Sequence, residues 1–165
     1  MVALAMTTMC GFLALAVDVG VAYSVRKSAQ AASDAGALAG AANALGTGVY
    51  GTCGAIVVCQ PAPAACGASG SAPYTTLGSA CLYASRNGFS SGGNNGSQTV
   101  SVASDINASP NAPGVAANYW VMVEVSEEIP RFFGGVLNSP LLFVRTTSVA
   151  AVVQVAGATT VALVQ

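Results

Sequence analysis

Residues 1 to 45, MVALAMTTMCGFLALAVDVGVAYSVRKSAQAASDAGALAGAANAL, read as one continuous apolar helix with a single acid, Asp18, deep in its first half. From residue 1 to residue 25 Asp18 is the only ionisable carboxylate, and the run closes on Arg26 and Lys27. At 1.5 Å per residue those 25 residues span roughly 37 Å, enough to cross a hydrocarbon layer. A surface of this kind does not stay in water alone, so it lies in a bilayer or is covered by copies of itself. No basic residue precedes the run, whereas a cleaved secretory signal opens on one, so the segment is expected to be retained.

Past the basic pair the helix continues through the Ala-rich residues 28 to 45, with Gln30 and Asp34 at i,i+4 spacing, and Gly46-Thr47-Gly48 supplies the stop. The whole helix is then ~45 residues and about 65 Å long, so half of it projects beyond a membrane or runs along a fibre axis. Small residues recur at Ala29, Ala32, Gly36 and Ala39 or Gly40, a stripe that lets backbones approach closely. Two readings stand: the stripe packs helices of different copies, or it packs on the chain's own globular part. Asp18 also has two. A neighbour's Arg26, Lys27 or N-terminal amine neutralises it and sets the register between subunits, or it is a hydrated acid near the membrane edge.

Composition bounds the function. Of the 165 residues 53% are hydrophobic and only 7% charged, against roughly 25% in an ordinary soluble domain. The net charge of -1 comes without a basic cluster, so nucleic-acid binding lacks its driving force. With no His, a Ser-His-Asp or Cys-His arrangement is excluded, and the adjacent acids Glu127 and Glu128 read as a helix start rather than an acid/base pair. Neither an enzyme nor a cofactor is expected. Arg86, Glu124 and Arg131 are too scattered to suggest a ligand pocket.

The remainder, residues 46 to 165, reads as a small head. Residues 46 to 73, rich in Gly, Ala, Pro and Cys, form a loop region. Residues 74 to 88 form a short helix with Leu77, Cys81 and Ala84 on one face, and 89 to 97 a turn. QTVSVAS, residues 98 to 104, alternates as a strand; 105 to 118 is a second loop. YWVMVEVS, residues 119 to 126, is a stronger strand with Tyr119, Val121, Val123 and Val125 on one face and Trp120, Met122 and Glu124 on the other. Acids and Pro suggest a short helix over 128 to 138, and 141 to 156 a further strand or pair. The uncharged run 148 to 165 is β-branched enough to favour extended structure over a second membrane span, and an apolar strand at a sheet edge calls for cover by another subunit. The fold class is α+β: a long N-terminal hydrophobic helix, residues 1 to 45, then a head with an antiparallel sheet.

Besides Cys10 in the apolar helix, Cys53, Cys59, Cys66 and Cys81 form an even set in loop-rich sequence, which suggests two disulfides with three pairings open. The lack of His and of CxxC pairs argues against zinc. Asn95 and Asn107 each open an Asn-x-Ser sequence in an expected surface loop and are candidate glycosylation sites, a solvated loop being the alternative.

GFLALAVDVGVAYSVRKSAQAASDAGALAGA, residues 11 to 41, resembles the N-terminal segment of the TadE/TadG-like proteins associated with Flp (tight-adherence) pili. The resemblance rests on an apolar helix running into Asp18, Gly20, Tyr23, Arg26, Gln30, Asp34, Ala35, Ala37, Leu38, Ala39, Gly40 and Ala41. ASRNGF (84 to 89) and VMVEVSEEIPRFFGGVLNSPLLFVRTTSVAAV (121 to 152) are similar to the family's later Asn-Gly turn and strand, Pro-x-Phe-Phe, strand ending. It implies a secreted or membrane-held, pilin-like bacterial protein without enzymatic activity. The expectation is a structural subunit that passes through the inner membrane and polymerises with itself into an extracellular pilus through its N-terminal helix. The alternative is a membrane-anchored assembly or anchoring factor whose head binds other pilus components.

Overall fold

The computed structural model describes residues 2–67, 72–107, 116–131, 133, 141–155 and 158–164. Helix α1, Val2–Thr47, is one 46-residue rod, about 69 Å long at the standard rise. No Pro interrupts it, and it ends where Gly48 turns to φ +69° and donates its N–H to the Leu45 carbonyl. Strand β1, Gln60–Ala65, helix α2, Thr76–Arg86, and strands β2, Gln98–Asp105, β3, Ala117–Pro130, β4, Leu141–Val155, and β5, Ala158–Val164, follow. The strands form one antiparallel sheet in the order β1-β2-β3-β4-β5, each paired with its neighbour in sequence. The chain is α+β, a long apolar helix followed by an antiparallel sheet, as its residues suggest.

The second half of α1 lies across one face of this sheet and beside α2. Tyr119, Val121, Val123 and Val125 of β3 point toward it, with Val100 and Val102 of β2 and Val144, Ala150 and Val152 of β4. They meet Ala29, Ala32, Ala37, Ala41 and Ala44 of α1 and Leu77, Ala80 and Ala84 of α2. Each buried Val contributes about 1.5–3 kcal/mol by leaving water. On the opposite face Trp120 and Met122 pack with Ala103, Val149 and Ala151 in a second cluster, and the Trp120 indole donates to the Asn107 carbonyl at 2.7 Å. The alternation read in residues 119 to 126 therefore places both faces correctly.

α2 is opened by Thr75, whose hydroxyl accepts from the Gly78 N–H, and closed at Asn87 with Gly88 at φ +91°. Two expectations are corrected. The stretch 46 to 73 is not loop throughout, because β1 forms within it; Pro61 and Pro63 are tolerated since β1 is an edge strand with an irregular ladder. The helix expected over 128 to 138 gives way at its start to strand: β3 runs through Pro130, which pairs with Leu141. There the period-two alternation, Glu127 and Ile129 inward against Glu128 and Pro130 outward, prevails over the acid and Pro start signal. Residues 132 and 134–138 of that stretch lie outside the described residues, as do 139 and 140 after it and 108–115 of the second expected loop. Residues 148 to 155 and 158 to 164 are extended, as their β-branched content suggests, and β5 forms a sheet edge.

Candidate functional site

The two halves of α1 meet different surroundings. In the first, Val2, Met6, Met9, Phe12, Leu13, Leu15, Val17, Val19 and Tyr23 are all exposed, Phe12 by 75%. Among the described residues α1 is the one helix long and apolar enough to cross a membrane. Arg26 and Lys27 close the apolar stretch, both exposed, and the Lys27 ammonium sits 5.6 Å from the centre of the Tyr23 ring. Val21 and Val25 already pack partly against the head, and from Ala29 onward the helix is built into its core.

Asp18 meets the head itself. It is half-buried, and its Oδ2 accepts the backbone N–H of Phe133 at 3.2 Å. Beside this contact an apolar groove of about 730 Å³ runs between residues 10 to 22 of α1 and Arg131, Phe133 and Leu142 at the far end of the β3–β4 ladder. The sequence offered a neighbour's Arg26, Lys27 or amine as partner; the fold brings up a backbone donor from 115 residues away.

Most of the small-residue stripe is occupied within the chain. Ala29, Ala32, Gly36 and Gly40 are buried and Ala39 is half-buried. A Cβ at Gly36 would stand 2.9 Å from the Ala80 carbonyl oxygen and 3.3 Å from a Val123 methyl. One at Gly40 would stand 3.0 Å from the Thr76 carbonyl oxygen and 3.0 Å from a Val121 methyl. Glycine at these two positions lets α1 touch α2 and β3 at once.

A polar cluster missed by the pattern reading fastens α1 to β4. Gln30 Nε2 donates to Asp34 Oδ1 at 2.9 Å and to Ser148 Oγ at 3.1 Å, while Ser148 Oγ donates to Asp34 and lies 2.9 Å from Ser33 Oγ. The i,i+4 spacing of Gln30 and Asp34 was visible in sequence; Ser148, more than a hundred residues on, carried no signal. Tyr119 forms a second buried link. Its hydroxyl donates to the Val58 carbonyl at 2.7 Å and lies 2.6 Å from Thr76 Oγ1, and desolvation by burial pushes the phenol above its usual 10.0.

Cys53 is bonded to Cys59, and Cys66 to Cys81, the second disulfide tying the chain just after β1 to α2; Cys10 is free and exposed on α1. Asp105 lies beside the Cys53–Cys59 bridge, whose sulfurs are bonded to each other and present no thiolate to a metal. Asn95 sits at φ +57° in the exposed 3-10 turn Asn94–Gly96. Asn107 is exposed, and its Nδ2 donates to Asp105 Oδ2 at 2.9 Å; residues 108 and 109 of its Asn-x-Ser sequence lie outside the described residues. Glu127 and Glu128 point to opposite faces of β3, Glu127 accepting from Asn94 at 2.6 Å, so they cap no helix and form no acid pair. Glu124 pairs with Arg145 across the ladder, away from Arg86.

Residues 1–43 match the model of the Tad family, described as putative Flp pilus-assembly TadE/G-like. This is the family that the motif from Asp18 to Ala41 resembles, and the match stays within α1. No curated protein and no solved structure matches the chain. The family match and the exposed apolar helix together support a pilus-associated, membrane-anchored protein, one for which no catalytic role is indicated.

Proposed function

We propose that this chain is a pilin-like subunit, held in the inner membrane by the exposed half of α1 and then polymerised with copies of itself into an extracellular filament. The observation that carries the reading is the division of one unbroken helix. Residues 29 to 44 are locked into the head by Gly36, Gly40 and the Ser148 cluster. Before Lys27, by contrast, the described large apolar side chains from Val2 to Val19 and Tyr23 are exposed, and the head is met only on the side of Asp18, Val21 and Val25. A rod fixed rigidly to a head can exchange lipid for the rods of neighbours without unfolding anything. Because nonpolar burial is worth about 25 cal/mol per Å², packing such rods together in an aqueous fibre offsets the entropy lost on assembly. The small-residue stripe serves the head, so contacts between copies in this reading fall to the larger side chains from Met6 to Val25. Arg26 and Lys27 then mark the level at which the fibre core or membrane ends, and other pilus components are partners at assembly.

A second reading has one observation in its favour. The contact of Phe133 with Asp18 sets part of the head against the rod in its apolar half, where it crowds one side of a packed helical core. That arrangement suits a membrane-anchored assembly or anchoring factor that stays in the bilayer. Shearing cells that carry an epitope-tagged chain separates the two. Tag along fibres in the sheared fraction by immunogold electron microscopy supports the subunit; tag confined to the membrane pellet, with fibres unlabelled, overturns it in favour of the assembly factor.

A further inference from the structure

α1 and β3 run antiparallel to one another, fixed at two heights: Asp18 meets Phe133, and Gly36 meets Val123. Spacing the residues evenly between these anchors sets Arg26 and Lys27 at the level of Glu128. Glu124 and Arg145 lie on the head side of that level, since Ser126 pairs with Arg145 and Glu128 with Phe143. The other side is apolar on both faces of the ladder. Leu142 and Phe133 line the groove along α1, while Leu141 and Phe143 are 54% and 58% exposed on the face turned from it. Arg131 is the one charged side chain described there.

We propose that this end of the β3–β4 ladder enters the lipid beside α1, so that the chain holds the membrane at two points, with acyl chains filling the groove between them. The inference rests on the membrane-anchored reading. If Arg26 and Lys27 mark the headgroup level, the eight residues back to Asp18 descend about 12 Å, and the Asp18–Phe133 hydrogen bond carries Phe133 to the same depth. The outer edges of the ladder limit how far it goes. β2 pairs with β3 only as far as Glu127, and β5 with β4 only from Val149, so the edges beyond them offer N–H and C=O groups that hydrocarbon does not satisfy. The ladder end therefore goes no deeper than Phe133, staying close to the headgroup and acyl boundary where amphipathic elements lie. Asp18 accepts a backbone donor that this end supplies.

The test places single tryptophans in a Trp120→Phe background of the full chain, reconstituted in vesicles of phosphatidylethanolamine and phosphatidylglycerol with brominated acyl chains. Phe12→Trp on α1 reports the anchor, Tyr83→Trp on the outer side of α2 reports water, and Phe133→Trp and Phe143→Trp report the ladder end. The expected result is a blue-shifted emission at 133 and 143 and a bromolipid quenching comparable with that at 12, with none at 83. Quenching at 12 but not at 133 or 143 overturns the inference and leaves the anchor standing, including the case in which position 133 is shielded from aqueous acrylamide by a second copy rather than by lipid. No quenching at 12 overturns the anchor itself, and this inference with it.

Discussion

The hydroxyl of Ser148 on β4 lies 2.9 Å from the hydroxyl of Ser33 on α1, buried between the helix and the sheet. Ser148 also accepts from Gln30 and donates to Asp34, so one small side chain closes a network of four residues. Replacing it by Ala strands the partners in a site with little water. Ser148→Ala is expected to destabilise the head by about 1–3 kcal/mol. Urea titration of the full chain in detergent micelles, followed by Trp120 fluorescence, measures the change; an unaltered midpoint would show that the network is ornamental to stability.

Gly36 and Gly40 should behave unlike Gly11, Gly20 and Gly46, the glycines of α1 that face open space. Alanine ordinarily stabilises a helix by roughly 0.5–1 kcal/mol relative to glycine. At Gly36 the new methyl meets the Ala80 carbonyl at 2.9 Å, and the backbone there cannot yield as a flexible side chain would. Gly36→Ala and Gly40→Ala are therefore expected to lose about 1–3 kcal/mol by overpacking, while Gly46→Ala, which meets open space, gains stability. A rise in thermal midpoint for Gly36→Ala would mean that α1 sits less tightly on α2 and β3 than described.

Tyr119 predicts an alkaline limit. Burial raises its phenol above 10.0, so between the unfolded and folded values the native chain keeps a proton that the unfolded chain has lost. Stability from this group is whole below the unfolded value and is lost as pH climbs through the folded one. Wild type should lose stability more steeply as pH rises past the ordinary phenol range than Tyr119→Phe, which starts lower by about 0.5–1.5 kcal/mol for its missing hydrogen bonds. Parallel curves for the two proteins would assign the alkaline transition to other groups.

The two disulfides close loops of different size, 15 residues for Cys66–Cys81 and 6 for Cys53–Cys59. On the chain-entropy account the first constrains the unfolded chain by about 3 kcal/mol and the second by about 2 kcal/mol. Replacing Cys66 and Cys81 by Ser should therefore cost more than replacing Cys53 and Cys59. Peptide mapping under non-reducing conditions checks the pairing first, and denaturation of the two double variants then ranks them; the reverse ranking would count against the entropic account here.

The helix, its end at Gly48 and the faces of β3 were legible because each is encoded over a few residues: the unbroken apolar run, a glycine stop, strict alternation. What sequence left open was decided by distance along the chain. The stripe at Ala29, Ala32, Gly36 and Gly40 has the spacing of a helix contact whichever surface it meets, and only the folded chain brings Val121 and Val123 of β3 against it. Ser148 and the Phe133 N–H become partners of Asp34 and Asp18 only once the sheet has formed. The helix expected over 128 to 138 does not start at 128, because acids and a Pro also suit the end of a strand whose neighbour, β4, continues the ladder to Leu141. Four cysteines in one domain announced two bridges, while their pairing depended on where α2 packs.

Asp18 separates an internal role from one between copies. Its carboxylate accepts the Phe133 N–H, and an amide oxygen can do the same, so Asp18→Asn keeps that bond and removes the charge, whereas Asp18→Ala removes both. If the charge sets the register against a neighbour's Arg26, Lys27 or amine, both variants should lose fibres alike. The head's stability should change by less than about 0.5 kcal/mol in either, because the site lies outside its core. Hydrogen exchange of the Phe133 amide in micelles should quicken in Asp18→Ala alone. Fibres at wild-type yield from Asp18→Asn, with none from Asp18→Ala, would reassign the acid from pairing between subunits to holding the ladder end against its own helix.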